Sequence, residues 1–475
     1  LCAPSLFTHY PLTLIFYLAI LPLGDRKEDI MKQEIKLSDH FDIKRMLRFT
    51  MPSIIMMIFT SIYGVVDGFF VSNFVGKTEF AAVNFIMPVL MILGAFGFML
   101  GAGGSAIVAF TLGQGKKEEA EKQFSLFVYA GLILGTVMAV AGILLIKPVA
   151  ILLGAEGEML KHCITYGAIT AVASPAYMLQ FEFQTFFITA EKPKLGLVMT
   201  LVSGFANMIL DALFMAVFGW GIVGAAAATA LSQFIGGVVP LVYFSRPNTS
   251  LLRLVKTKYV GKWMLKACTN GSSELMSNIS FSLVGILYNF QLMKYAGEDG
   301  VAAYGVLMYV NMIFIAVFIG FATGMAPVFG YHYGAENHDE LKSLLKKSLK
   351  VIGVCSVAML IFGEVCAYPL SYIFVGYDKA LMDMTLRGFM IYSFSFLFAG
   401  LAIFGSAFFT ALSDGLTSAI MAFLRTLVFQ VLAVLILPLF FELDGIWFSI
   451  IAAEVAAVAI TVFFLVVKRK KYKYW

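Results

Sequence analysis

The chain has 475 residues, 60% of them hydrophobic and only 13% charged, with a mean hydropathy of +0.88. Soluble domains carry about 25% charged residues, so this composition excludes a chain folded in water. The net charge of +5 forms no basic block interleaved with aromatics, which sets aside nucleic-acid binding.

In lipid the backbone must pair with itself, which leaves helices or a closed barrel. Barrel strands run about 10 residues and alternate in polarity. Residues 124–146 and 301–329 are instead long apolar runs of helix length. The five cysteines show no CxxC spacing and the five histidines are scattered, so no disulfide frame, metal centre or other cofactor is expected.

The first 30 residues begin at Leu1, and 7–23 is apolar but holds His9 and lies among Pro4, Pro11 and Pro22. It lacks the positive leader and small-residue cleavage site of a signal peptide. We read it as an upstream extension with the natural start at Met31, and 1–46 as extension plus cytoplasmic lead-in. The rival reading is an extra helix.

Twelve apolar segments follow, at 47–75, 83–110, 123–147, 163–190, 194–218, 221–244, 264–294, 301–331, 347–376, 385–411, 415–438 and 443–467. Lys and Arg crowd alternate loops: Lys116, Lys117 and Lys122, then Lys192 and Lys194, then Arg246 to Lys262, then Lys342 to Lys347, and the tail from Lys468. By the positive-inside rule both termini face the cytoplasm of a prokaryotic plasma membrane. The longest polar connection splits the twelve, giving an N-lobe 47–246, a linker 247–263, a C-lobe 264–467 and a basic tail 468–475.

The halves resemble each other. Sliding Phe80 onto Val301 aligns 80–120 with 301–341 without a gap, and pairs Gly103 with Gly324, Gly113 with Gly334 and Pro148 with Pro369. The expected fold is therefore all-α and polytopic, with twelve helices in two pseudo-symmetric six-helix bundles. Transporters bind substrate between such repeats.

An acid in hydrocarbon costs about 2.5–3.5 kcal/mol, so each one needs a reason. Asp67 lies in segment 1 and Asp211 in segment 5, with Asn207 one turn before Asp211 on the same face. Segments 5 and 6 turn near Trp220, with Asp211 nine residues before it and Thr229 nine after. Asp67 stands nine residues before the turn at Gly76. At 1.5 Å per residue all four share one layer, roughly 13 Å from the outer surface. Two carboxylates, an amide oxygen and a hydroxyl suit a proton or Na+, not a soft metal. Such a pair titrates as a unit. The bland alternative is a pair of structural acids satisfied within the bundle.

Glu274, with Asn278 one turn later, reads either as a substrate contact or as a helix-end residue in cytoplasmic water. Glu182 offers the same choice. Arg425 reads as a snorkelling cation, and Glu364 and Glu454 as bland acids. Gly101–Ser105 is a small-residue packing stretch inside a helix, not a phosphate loop. Gly115-Lys116 lacks the Walker A frame, so no ATPase motif is present and an ion-driven cycle is expected.

Taken together, Pro52 with Asp67-Gly-Phe-Phe-Val-Ser72, Asn207-x-x-x-Asp211 and Gly224-Ala-Ala-Ala-Ala-Thr229 resemble the multidrug and toxic compound extrusion family over about residues 44–467. Its bacterial MepA-like branch is the nearest in pattern. The resemblance implies export of organic, lipophilic cationic compounds in exchange for H+ or Na+ by alternating access, with no enzyme activity. It implies a cation site of Asp67, Asp211, Asn207 and Thr229, and a helix-1 bend involving Pro52. Segment 10 departs from members that use an Asp there, because 385–411 holds no acid. Glu274 does match the acidic helix-7 position of those members.

The partners expected are small organic cations and membrane lipid, and nothing demands more than a monomer. The rival is a lipid-linked oligosaccharide flippase of the same superfamily. Its anionic cargo requires inward cations, for which Arg425 is the one good candidate. An intramembrane enzyme would need a nucleophile–base or metal set, and none is found.

Overall fold

The computed structural model describes residues 35–475, and Leu37–Trp475 forms one unit. The expectations for residues 1–30 and a start at Met31 lie outside the described residues. The described chain is helical almost throughout, as a backbone surrounded by lipid must be.

The first half comprises α1 (Ile43–Phe74), α2 (Lys77–Gly113), α3 (Lys117–Leu152), α4 (Gly157–Val172), α5 (Ser174–Thr189), α6 (Pro193–Asp211) and α7 (Gly221–Ser245). The second comprises α8 (Gly261–Gly334), α9 (His338–Val375), α10 (Lys379–Ser393), α11 (Phe396–Ala411), α12 (Gly415–Phe423), α13 (Gln430–Ile436) and α14 (Pro438–Tyr472). Single π-helical stretches follow α6 (Ala212–Val217) and α12 (Leu424–Phe429).

Among the described residues nine helices are individually long and apolar enough to cross a membrane. The rest of the twelve passes come from elements joined or split at breaks. Gly297 reverses α8 with φ 63° and ψ −150°, a backbone state reserved for glycine, so α8 makes two passes. α10 and α11 bend by 49° within one pass. α4 and α5 join at Ala173 within another. Side-chain caps set several starts: Asp42 accepts from the Arg45 N–H at 2.6 Å, and Asp378 from Ala380 and Leu381.

Each half has its own aromatic or aliphatic core. Val71, Ile86, Tyr166 and Ile222 pack at one end of the first half, and Phe124, Phe127, Phe183 and Phe244 at the other. Tyr288, Phe314, Tyr392 and Trp447 pack in the second half. Lipid tails are as apolar as these side chains, so close packing rather than water exclusion holds the helices together.

The halves meet along a seam of small residues toward the end that carries the Lys- and Arg-rich loops, here the basic end. A Cβ at Gly113 would stand 2.0 Å from the Tyr331 carbonyl oxygen, and one at Gly334 2.0 Å from that of Phe110. Gly103 and Gly271 face the backbone of Ala267 and Met99 as closely, and Gly320 abuts Ile54 of α1. Further from the basic end, Ser61 donates to the Met312 carbonyl at 3.3 Å. Beyond it Gly64, Gly68, Gly285 and Gly305 face open space. The close backbone contacts of the seam thus lie at the basic end.

Gly113→Ala with Gly334→Ala is expected to overpack it at a cost of about 1–3 kcal/mol. A cysteine at Ala109, whose Cβ lies against Gly330, should then react faster with a water-soluble maleimide. Unchanged labelling would mean the seam is not closed by these contacts.

A strap from Leu37 to Asp42 lies across the basic end. Leu37 and Phe41 are fully buried. The Leu37 N–H donates to Glu191 Oε1 of the first half at 2.7 Å. The Phe41 N–H donates to Glu340 Oε1 of the second at 3.0 Å, and His40 Nδ1 lies 2.6 Å from Glu340 Oε2. Losing one partner of such buried bonds costs about 1–3 kcal/mol. Glu340→Gln is expected to lower the melting temperature measurably, and a variant as stable as the parent would show that Glu340 does not hold the strap.

Candidate functional site

α1 is continuous through Pro52, with no break there. Pro52 is buried beside Ser53, against which Gly320 and Gly324 of α8 pack, so the residue lies at the seam. It lacks the N–H that would bond the Arg48 carbonyl, which makes this the weakest point of the α1 ladder.

About four turns further on, α1 presents Asp67 to α6. Asp67 comes within hydrogen-bonding reach of both Asp211 and Asn207. Asp211 is the last residue of α6, where the helix passes into the π-helical Ala212–Val217. Such π segments occur often at functional positions because they shift the side chains and carbonyls out of the regular ladder. Thr229 comes from α7 across the Trp220 hairpin, and the Tyr166 hydroxyl of α4 approaches it. Asp67 is 9%, Asn207 2% and Asp211 0% exposed, so the acids see little water.

The cluster gathers unpaired oxygens from four side chains of three helices, whereas the equally unpaired carboxylate of Glu182 lies outside it. Asp67 Oδ1, Asn207 Oδ1, both carboxylate oxygens of Asp211 and Thr229 Oγ1 are buried without a hydrogen-bond partner. Buried acceptors are normally paired, and each orphan is costly. Clustered carboxylate oxygens left unpaired are satisfied by a proton shared between the acids or by a hard cation among them. The donor set therefore fits H+ or Na+. No group of three or more His, Cys, Asp or Glu side chains suited to a metal occurs among the described residues.

The other sequence candidates are not part of this cluster. Glu182 of α5 is fully buried, with its carboxylate against Gly131 of α3 and no charged group acting on it. Glu274 is half-buried in the first arm of α8 and feels the charge of Arg425. Asn278 turns back to the Glu274 carbonyl at 2.8 Å and so is spent on its own helix.

Arg425 does not snorkel. Its Nη2 lies 2.8 Å and its Nε 3.1 Å from Glu454 Oε1, with Nε 3.0 Å from Oε2, a forked pair whose side chains are 19% and 4% exposed. Glu454 is accordingly a structural acid, in keeping with its bland reading, and it neutralises the largely buried Arg425 guanidinium.

Two residues at the site were not singled out from sequence. Tyr63 lies close enough to Asp67 to feel its charge, and its position four residues earlier on α1 was a usable signal. Tyr166 arrives from another helix and carried none.

A family model described as MatE matches the chain twice, over residues 52–213 and 275–436. The chain belongs to the MatE family. MatE proteins are transporters, not enzymes. Multidrug export protein MepA of Staphylococcus haemolyticus (strain JCSC1435) is 26% identical over 427 residues, spanning 88% of this MatE chain and 92% of that protein. MepA of Staphylococcus aureus (strain N315) is 25% identical over 413 residues, spanning 86% and 90%. A solved structure described as the outward-facing conformation of a multidrug resistance MATE family transporter of the MOP superfamily superposes with a TM-score of 0.87 at 23% identity, covering 94% of this chain and 99% of that one. That likeness establishes the fold. The MatE matches, one per half, agree with the internal repeat, and the relatives place the chain with MepA-like exporters.

Proposed function

We propose that this MatE transporter is a secondary active multidrug exporter that exchanges H+ or Na+ for organic, lipophilic cationic compounds. The observation that carries the reading is the set of orphaned buried oxygens on Asp67, Asn207, Asp211 and Thr229. In the proposed cycle the N-lobe 47–246 and C-lobe 264–467 alternate about the seam, joined by the linker 247–263, with the basic end and both termini in the cytoplasm of a prokaryotic plasma membrane.

The seam, shut at the basic end and open beyond Ser61, supports an outward-open state. A cation entering from outside neutralises the Asp67–Asp211 pair, removes its claim on an organic cation, and relaxes α1 about Pro52. Coupling requires that the cation bind the two states unequally, and a pair split between α1 and α6 provides this when α1 moves. Glu274, half-buried and beside the Arg425–Glu454 pair, is the proposed contact for cationic cargo in the second lobe. Glu182, sealed against Gly131, is assigned no contact with cargo. One chain contains the whole proposed site, so a monomer suffices.

A lipid-linked oligosaccharide flippase would use free cations to hold its anionic cargo. Arg425 is already neutralised by Glu454, which counts against that reading.

The test is efflux of a fluorescent lipophilic cation from proteoliposomes under an imposed proton gradient, and separately a sodium gradient. Transport driven by one gradient and lost in Asp67→Asn is expected, and it names the ion. Equal transport by Asp67→Asn under that gradient would sink the proposal.

A further inference from the structure

The basic end carries a groove between the start of α9 and the end of α14. It encloses about 530 Å3 and is lined by His338, Lys342, Arg469, Lys470, Lys473 and Trp475. Among the described residues, Lys342, Arg469, Lys470 and Lys473 take part in no ion pair, whereas the adjacent Lys468 is held by Asp414 at 3.2 Å. Four uncompensated cations around one groove repel each other and create a strong local field for an anion.

These side chains are placed by packing, not left on a loose end. Tyr472 and Tyr474 are buried, stacked on each other and edge-on to Phe409. The Tyr474 hydroxyl donates to the Leu465 carbonyl at 3.0 Å. Lys473, with φ 54°, turns the chain off the α14 axis while its N–H bonds Arg469 O at 2.9 Å. His338, half-buried, also lines the groove, and its Nδ1 is buried without a partner.

The depth of the groove selects among anions. α14 carries no charge from Val455 to Val467 and is basic from Lys468, so the groove lies at the level where lipid headgroups begin. Phe463, Val466 and Val467 are about half exposed on the helix leading to it. Trp475 is 68% exposed, and indole rings favour that same interfacial layer.

We propose that this groove binds the phosphate headgroup of an anionic membrane lipid, with the acyl chains lying along Phe463, Val466 and Val467. Basic pockets at the cytoplasmic ends of membrane helices suit such headgroups. The inference rests on the basic end facing a headgroup layer and not on the chemistry of Asp67 and Asp211, so it can fail while the exchange cycle stands, and the reverse.

The test uses the full chain in neutral detergent, titrated with phosphatidylglycerol, with phosphatidylcholine and with inorganic phosphate, following thermal stability and lipid adducts by native mass spectrometry. Phosphatidylglycerol is expected to stabilise the protein and remain bound, and the other two are not. Each of Lys342→Gln, Arg469→Gln, Lys470→Gln and Lys473→Gln should weaken binding about fivefold. A control removes four charges at once elsewhere on that end, with Arg253→Gln, Lys256→Gln, Lys258→Gln and Lys262→Gln combined, and should bind as the parent does. Equal weakening in the control would mean diffuse attraction and overturn the site. So would unchanged binding in the single variants, or stabilisation by inorganic phosphate equal to that by lipid.

Discussion

Asp211→Asn is expected to cut gradient-driven efflux about 5- to 150-fold, the range spanned by coupling free energies of 1–3 kcal/mol, while the protein still folds and reaches the membrane. Asparagine has nearly the volume of aspartate, so the 0% exposed position at the end of α6 keeps its packing. It has no proton to exchange and no charge to offer Na+. Its amide N–H groups also supply a donor for the unpaired Asp67 Oδ1, so the variant imitates the cation-loaded layer permanently. Passive exchange of cargo across the liposome should persist, because the seam is untouched. The diagnostic is the ratio of driven to passive flux. A normal ratio in Asp211→Asn, with normal thermal stability, would remove this layer from the coupling mechanism. Tyr166→Phe should have a much smaller effect, since it deletes only the hydroxyl beside Thr229.

Arg425→Ala carries the second large effect. The variant strands Glu454, 4% exposed, without the guanidinium that holds it through Nε and Nη2. Breaking a buried pair on one side costs about 3–5 kcal/mol, because an uncompensated charge is left behind. The double variant Arg425→Met with Glu454→Gln should recover most of that loss, since the cost lies in the orphan and not in the absence of the pair. Thermal unfolding in detergent reads both. Single and double variants that are equally destabilised would show that the pair contributes through packing instead.

The long apolar runs made the twelve passes legible, because membrane thickness sets helix length. The breaks were less so. Gly297 was recognisable as a turn, but nothing in 385–411 announces the 49° bend between α10 and α11, which depends on neighbouring helices. The Asp67 layer could be read in part because hairpin arithmetic places Asp211 and Thr229 at one depth, and helical spacing puts Asn207 beside Asp211. Depth alone does not say which way a helix is rotated. For that reason Glu182, at home in an interior as an acid or a ligand, was not separable from the site until its carboxylate was seen against Gly131. The same ambiguity hid the Arg425–Glu454 pair, whose members lie on adjacent helices 29 positions apart. The strap was equally hidden, because a polar lead-in carries no periodic signal of where it docks.

The seam at the basic end also has an entropic consequence. Glycine and alanine have no rotamers to freeze, whereas a face of Met, Lys or Gln gives up about 1.5–2 kcal/mol per side chain on ordering. Gly103, Gly113, Gly271, Gly320 and Gly334 bring backbone against backbone, so shutting this face orders almost nothing that was free before. In the proposed cycle the two access states would then be close in conformational entropy at that end, and a modest binding free energy from one small ion elsewhere in the protein would be enough to decide between them.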